Sequence, residues 1–201
     1  MPEFLQSESF PQTRYSVLTA AKSDDPAIRS RAIETIAAAY WKPLYKYVRL
    51  KWKLTPEDAS DFTQDFFAGL LERELLASYD AGKGRLRTFL RTCADRLYMK
   101  RTRDSMRQKR GGGHEHLVLD CGEAEQELAS ALTSDSPEDH FEKEWVRSLF
   151  AVGLQRLRAR CESANKTLHF KLFERYDLAE ECPRPSYAEL AEEFGLATTD
   201  V

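Results

Sequence analysis

The chain has 201 residues, of which 42% are hydrophobic and 31% charged, a mixture that supports a buried core and argues against global disorder. No apolar run approaches the roughly 20 residues needed to cross a bilayer. Residues 1–30 lack a basic start followed by an apolar stretch, so we expect no secretory signal and a cytoplasmic location.

The net charge of −3 conceals an asymmetry. Residues 29–110 carry 19 Lys and Arg against 10 Asp and Glu, a net of +9, whereas residues 111–201 carry 9 against 19, a net of −10. A basic first half suits a polyanionic partner. The four cysteines, Cys93, Cys121, Cys161 and Cys182, are far apart and form no Cys-x-x-Cys pair, which argues against a disulfide framework or a zinc finger.

Residues 1–28 show no clear period and read as an N-terminal arm or a short lead-in helix. From Arg29 the apolar spacing is helical, through Ile33, Ile36, Ala37, Tyr40, Trp41, Leu44, Tyr47 and Val48. Pro43 falls inside this run and predicts two consecutive pieces. Thr55 can cap the next helix, Pro56 suits its first position, and Glu57 and Asp58 favour its positive end. Ala59, Phe62, Phe66 and Leu70 extend it toward Leu76. Residues 77–84, with two glycines and an aspartate, read as a loop. A long helix over 85–110 follows, with Leu86, Phe89, Leu90, Cys93 and Leu97 as its apolar stripe, and Gly111, Gly112 and Gly113 stop it.

Residues 111–136 are glycine-led and acidic and read as a flexible linker, with room for a short helix near 123–132. Ser136, Pro137, Glu138 and Asp139 repeat the cap-then-proline signal. Phe141, Trp145, Leu149 and Val152 predict one helix, Leu168, Leu172, Phe173 and Tyr176 another, and residues 186–194 a short last one. No segment alternates as a strand does. The expected architecture is all-α. It comprises an arm (1–28), a helical domain (29–110), the linker (111–136) and a second small helical domain (137–201).

Four features carry chemistry. Arg96, Lys100, Arg103, Arg107 and Arg110 are spaced to share one helix face, flanked by Arg101 and Lys109 and continued by Arg85, Arg87 and Arg91. So one-sided a cationic face points to phosphate. A merely solvated face and an amphipathic membrane-surface helix are the competing readings. Tyr79, Phe89 and Tyr98 lie near that face, and single strands are held by stacking bases on aromatic rings in an electropositive groove. Tyr79, in its glycine-flanked loop, is the better base-touching candidate, and Phe89 the better core residue.

The third feature is the carboxylate row Asp58, Asp61, Asp65 and Glu72, with Gln64 beside it. No histidine accompanies it, so a solvated or protein-docking face fits better than a metal or acid–base site. The fourth is the C-terminal end. Ser186 and Glu189 form a capping box. Ala191, Gly195 and Val201 match the helix-turn-helix pattern, with Thr198 or Thr199 capping the second helix. The chain stops a few residues into that would-be recognition helix, so we expect a truncated reader with base-reading residues beyond Val201. His114, Glu115, His116 and Cys121 do not make a closed tetrahedral zinc site.

Together these residues resemble the extracytoplasmic-function (ECF) sigma factors, of the sigma-70 family. The clearest match is Thr55-Pro-Glu-Asp-Ala-Ser-Asp-Phe-Thr-Gln-Asp-Phe-Phe. Tyr45 in Pro-Leu-Tyr-Lys-Tyr is similar to the family's first core helix, residues 89–97 to its promoter-melting helix, and Ser-Tyr-Ala-Glu-Leu-Ala to its second-domain helix-turn-helix.

The resemblance implies a protein with no catalysis and no cofactor of its own. Asp58, Asp61, Gln64 and Asp65 would dock on the clamp helices of the largest subunit of core RNA polymerase. Tyr79, Lys83 and the helix from Arg85 would open the promoter −10 element and hold its non-template strand. The C-terminal domain would read −35 duplex DNA near Thr198 and Thr199. An anti-sigma factor is a further candidate partner, and a membrane is not. The rivals are a stand-alone helix-turn-helix regulator and a metal-dependent nuclease.

Overall fold

A computed structural model describes residues 15–71, 75–105, 121–130, 135–179 and 183–200, and every regular element among them is helical. The chain divides into two units, Met1–Leu149 and Phe150–Val201.

In the first unit, helix α1 (Tyr15–Ala21) is too short to persist alone. It is held by Leu18 and Ala21, which join the core that α2 helps build. Of the arm and the short lead-in helix, the second is what Tyr15–Ala21 form. Helix α2 (Pro26–Trp52) starts earlier than the apolar period suggests, because Asp25 caps it. The Asp25 carboxylate accepts from the Ala27 amide at 2.8 Å, and Pro26 occupies the position where a missing N–H costs least.

The break expected at Pro43 does not occur, and α2 runs through it. An interior proline forfeits one helical hydrogen bond and crowds the carbonyl of Ala39, a cost of about 3 kcal/mol. Ile33, Ile36 and Tyr40 before it, and Leu44, Tyr45 and Val48 after it, are all buried in one core. At roughly 1.5–3 kcal/mol for each large apolar side chain buried, that continuous face outweighs the local penalty.

Helix α3 (Pro56–Leu71) has the start its sequence announces. The Thr55 hydroxyl accepts from the Asp58 amide at 3.1 Å and donates to the Asp58 carboxylate at 3.0 Å. Ala59, Phe62, Phe66, Phe67 and Leu70 point into the core. The described part of the helix reaches Leu71, residues 72–74 lie outside the described residues, and Leu76–Ser78 form a 3₁₀ turn. Helix α4 (Leu86–Ser105) buries Leu86, Leu90, Cys93 and Ala94. Residues 106–110, which the sequence includes in this helix, lie outside the described residues.

Helix α5 (Cys121–Ser130) lies against α2 and α3. Helix α6 (Pro137–Ser163) is capped by Ser136, whose hydroxyl oxygen accepts from the Asp139 amide at 3.1 Å. Its first turns send Phe141 and Trp145 into the first unit's core, Phe141 edge-on to Tyr47 at 5.7 Å and Trp145 6.3 Å from Tyr40. The division between the two units falls inside α6, after Leu149, and of the segment expected as a linker residues 111–120 and 131–134 lie outside the described residues.

The second unit contains the rest of α6, α7 (Thr167–Phe173), a π-helical turn at Glu174–Leu178, α8 (Tyr187–Phe194) and a 3₁₀ turn at Thr198–Asp200. Phe170, Leu190 and Ala191 are its buried side chains among the described residues. Ion pairs Arg158–Glu174 at 2.5 Å and Arg175–Glu193 at 2.9 Å cross between its segments. The Ser186–Glu189 capping box is present, and α8 ends at Gly195 with φ +65°. The Leu196 amide bonds Ala191 O at 2.8 Å and the Gly195 amide bonds Glu192 O at 3.3 Å, the Schellman pairing that a left-handed glycine permits. Among the described residues no helix is long and apolar enough to cross a membrane.

Candidate nucleic-acid and protein interface

The basic residues of α4 separate into two groups once their neighbours are known. Arg85, Thr88, Thr92, Arg96, Lys100 and Arg103 follow one another by three or four positions and are all exposed, so they form one solvent-facing strip. Arg96, Lys100 and Arg103 have no ion pair among the described residues. Met99, 55% exposed, interrupts the strip.

Arg87 and Arg91 do not continue it. They turn toward α6, where Arg87 Nε is 2.5 Å from Glu142 Oε2 and Arg91 is 3.8 Å from Glu142 Oε1. Their guanidinium groups lie over Trp145 at 4.5 Å and Phe141 at 5.8 Å. Arg101 pairs with Asp65 of α3 and lies over the Phe62 ring at 5.2 Å. Arg107, Lys109 and Arg110 lie outside the described residues.

Tyr79 is not the exposed platform its loop suggests. It is buried, its ring 5.0 Å from Phe89, and its hydroxyl donates to Gly84 O at 3.0 Å. Lys22, in the turn after α1, donates to Tyr79 O at 2.7 Å. Asp80 tightens the same turn by accepting from the Gly82 amide at 2.9 Å. Tyr79 thus props the loop from beneath, while Phe89 is only half-buried, the reverse of the sequence expectation. Lys83 is the residue the loop presents, with 85% of its side chain exposed.

A half-buried aromatic pair that sequence reasoning passed over is Trp52 with Tyr98. Their rings are parallel at 3.8 Å, and Phe62 is edge-on to Trp52 at 5.7 Å. Trp52 ends α2 between two lysines, a position that resembles an ordinary helix terminus until α4 brings Tyr98 to it.

On α3 the carboxylate row also divides. Asp58 is engaged in the Thr55 cap. Asp61 is exposed, Gln64 is half-buried and donates to the Ser60 hydroxyl at 3.2 Å, and Asp65 holds Arg101. Glu72 lies outside the described residues.

The largest electrostatic feature joins the two oppositely charged parts of the sequence. On α5, Glu123 and Glu127 reach Lys42 at 2.9 and 3.1 Å. Glu125 grips Arg49 with both oxygens, at 2.6 and 2.8 Å, and accepts from the Tyr45 hydroxyl at 2.7 Å. On α6, Glu138 pairs with Lys51 at 2.9 Å, and Glu144 with Lys46 at 2.5 Å. Arg49 holds the Glu125 carboxyl below its usual 4.5. For Glu127 and Glu144, burial opposes ionisation, yet Lys46 and its neighbours still pull both below 4.5.

These pairs differ in worth. Partly exposed pairs contribute about 0–1 kcal/mol each. The Lys46–Glu144 pair is enclosed on both sides, so removing one partner strands a buried charge.

Thr198 and Thr199 are exposed in the final 3₁₀ turn, and Val201 lies outside the described residues. His114, Glu115 and His116 do as well. Among the described residues no three His, Cys, Asp or Glu side chains gather where they could hold a metal ion. No known protein family, curated protein or solved structure matches the chain.

Proposed function

We propose that the chain is a promoter-specificity subunit of the ECF sigma type, which carries bacterial core RNA polymerase to promoters and helps open the −10 element. The observation that carries the proposal is the exposed strip of Arg85, directly before α4, and Arg96, Lys100 and Arg103 on it. A single row of exposed cations on a helix fits a phosphate backbone. The strip starts where the Lys83 loop ends, as a −10-opening loop and helix would be arranged. The exposed Asp61, with Gln64 one turn on, supplies the docking side. The second unit, with α8 ending on Gly195, is the candidate −35 reader.

The rival is a helix-turn-helix regulator that never meets polymerase, and it has no use for Asp61 and Gln64. Retention of Asp61→Ala/Gln64→Ala on immobilised core polymerase separates the two. The substitution leaves Asp65 alone because that residue holds Arg101. The sigma reading expects strong loss of retention relative to the unsubstituted chain. Equal retention of both proteins removes the docking role.

A further inference from the structure

We infer that Arg101 is a further phosphate contact, held back in the free chain by Asp65 and released when a docking partner takes that carboxylate. The inference rests on the docking reading above and adds to it a link between the two binding surfaces.

Position is the first ground. Asp65 directly follows Gln64 and stands one helical turn beyond Asp61, so it adjoins the residues assigned to docking. Arg101 lies in the chain between Lys100 and Arg103, two cations of the exposed strip. Arg101 Nη2 donates to Asp65 Oδ2. A carboxylate beside the polymerase side and a cation beside the DNA side thus satisfy each other.

Exposure is the second ground. Arg87 and Arg91, the other described cations of α4 outside the strip, have 16% and 22% of their side chains exposed and are held by Glu142 of α6. Arg101 and Asp65 are more open, at 39% and 34%, so an outside cation can reach the carboxylate and salt can weaken the pair. Exchange leaves the fold intact. Phe62 and Phe66 of α3 and Leu90 and Ala94 of α4 share one core, and that packing does not need the ion pair.

The third ground is what else holds Arg101. Its guanidinium lies over the ring of Phe62 at 5.2 Å, and Phe62 is buried. That contact keeps the planar group in place when the carboxylate is withdrawn, with its N–H fork free for a phosphate oxygen. The coupling is reciprocal, because a phosphate that takes Arg101 frees Asp65 by the same factor. A partly exposed pair sets that factor at about two- to fivefold.

The test is a cycle of Asp65→Asn, Arg101→Gln and the two together. Each full-length chain is titrated with a fluorescent single strand of about 30 nucleotides across a range of salt, and urea unfolding verifies that each variant folds. In the free chain Arg101→Gln alone should leave DNA affinity unchanged, because Asp65 already withholds that cation. Asp65→Asn should raise affinity about two- to fivefold and steepen the logarithmic salt slope by about 0.7, one more phosphate neutralised. The double variant should return to the unsubstituted chain. A general charge effect would instead make Arg101→Gln lower affinity as much as Asp65→Asn raises it, and that result overturns the inference. A gain from Asp65→Asn that survives in the double variant overturns it too. The second arm repeats the titration with the chain bound to core polymerase. There Arg101→Gln should lower affinity about two- to fivefold and reduce the slope by about 0.7 relative to the unsubstituted complex. Equal slopes in the two complexes overturn the release. If core polymerase does not retain even the unsubstituted chain, the docking reading fails and takes the release with it, whereas the free-chain cycle tests the Asp65–Arg101 restraint independently of polymerase.

Discussion

Lys46 Nζ lies 2.5 Å from Glu144 Oε2, with only 2% of the lysine and 3% of the glutamate side chain exposed. This buried pair ties α6 to the middle of α2. Arg147 also pairs with Glu144, and Glu127 lies 2.6 Å from Lys46. Glu144→Leu should therefore destabilise the first unit by about 3 kcal/mol, toward the lower end for breaking a buried pair, since Glu127 still faces Lys46. Lys46→Met/Glu144→Leu together should recover most of that loss. Urea unfolding of the two variants measures both. A double variant no more stable than the single one would mean that the pair's geometry, not its stranded charge, dominates.

What the sequence revealed and what it hid follow one physical division. The starts of α3, α6 and α8 were legible at Thr55, Ser136 and Ser186, because a cap and its amide lie within four residues. The left-handed Gly195 was legible for the same reason. Asp25 and Pro26 carry the same signal, but they precede the first apolar repeat and were passed over. Pro43 misled because its cost is local, whereas the burial that overrides it comes from packing along the whole of α2. The helical spacing placed Arg96, Lys100 and Arg103 together correctly. Nothing in it separated them from Arg87 and Arg91, whose fate is set by Glu142, far along the chain. Tyr79 is similar, since its burial depends on Lys22 and Phe89 rather than on its glycine neighbours.

Tyr79→Phe tests the strut. Only the hydrogen bond to Gly84 O is removed, so stability should fall by about 0.5–1.5 kcal/mol. Affinity for single-stranded DNA should stay within about twofold, a change of well under 1 kcal/mol. A tenfold loss of DNA affinity at unchanged stability would place the phenol on the nucleic acid instead.

His140 confers a pH dependence. It is buried in the first turn of α6, its Nε2 has no hydrogen-bond partner, and burial pushes its pKa below 6.5. Glu144 and Asp135 oppose that shift, and Lys46 and Arg147 add to it. The unfolded chain therefore binds the proton more readily than the folded one. Stability is fully present above about pH 6.5 and declines as pH falls from there toward the lowered pKa, by at most about 1.4 kcal/mol per pH unit for one proton. His140→Gln should flatten the melting temperature between pH 7.5 and 5.5. An unchanged slope would assign the effect to other groups.

Gly195→Ala tests the turn of the second unit. A Cβ there would meet nothing within 4 Å, so the cost is purely that of φ +65°. An L-residue in this region loses about 1–2 kcal/mol. Gly195→Asn should lose less, because asparagine tolerates the left-handed conformation. Amide exchange at Leu196, whose hydrogen bond to Ala191 closes the turn, reports the change. Equal protection in all three proteins would show that the turn does not depend on the glycine.

The two classes of cation on α4 give the sharpest functional contrast. Arg96→Gln/Lys100→Gln/Arg103→Gln removes exposed charge that holds nothing together, so folding stability should shift by less than about 0.5 kcal/mol. Single-stranded DNA affinity should fall, and its logarithmic salt slope should shrink by about 0.7 for each phosphate no longer neutralised, roughly 2 in all. Arg87→Gln/Arg91→Gln should do the reverse. Those side chains cover Trp145 and Phe141 and bind Glu142, so their removal should loosen α6 while the salt slope stays as it was. Anisotropy titrations across a range of salt concentrations, read beside urea unfolding, separate the two. If the Arg87/Arg91 variant carries the slope change, then Glu142 yields its cations to DNA and the strip on α4 is not where phosphate binds.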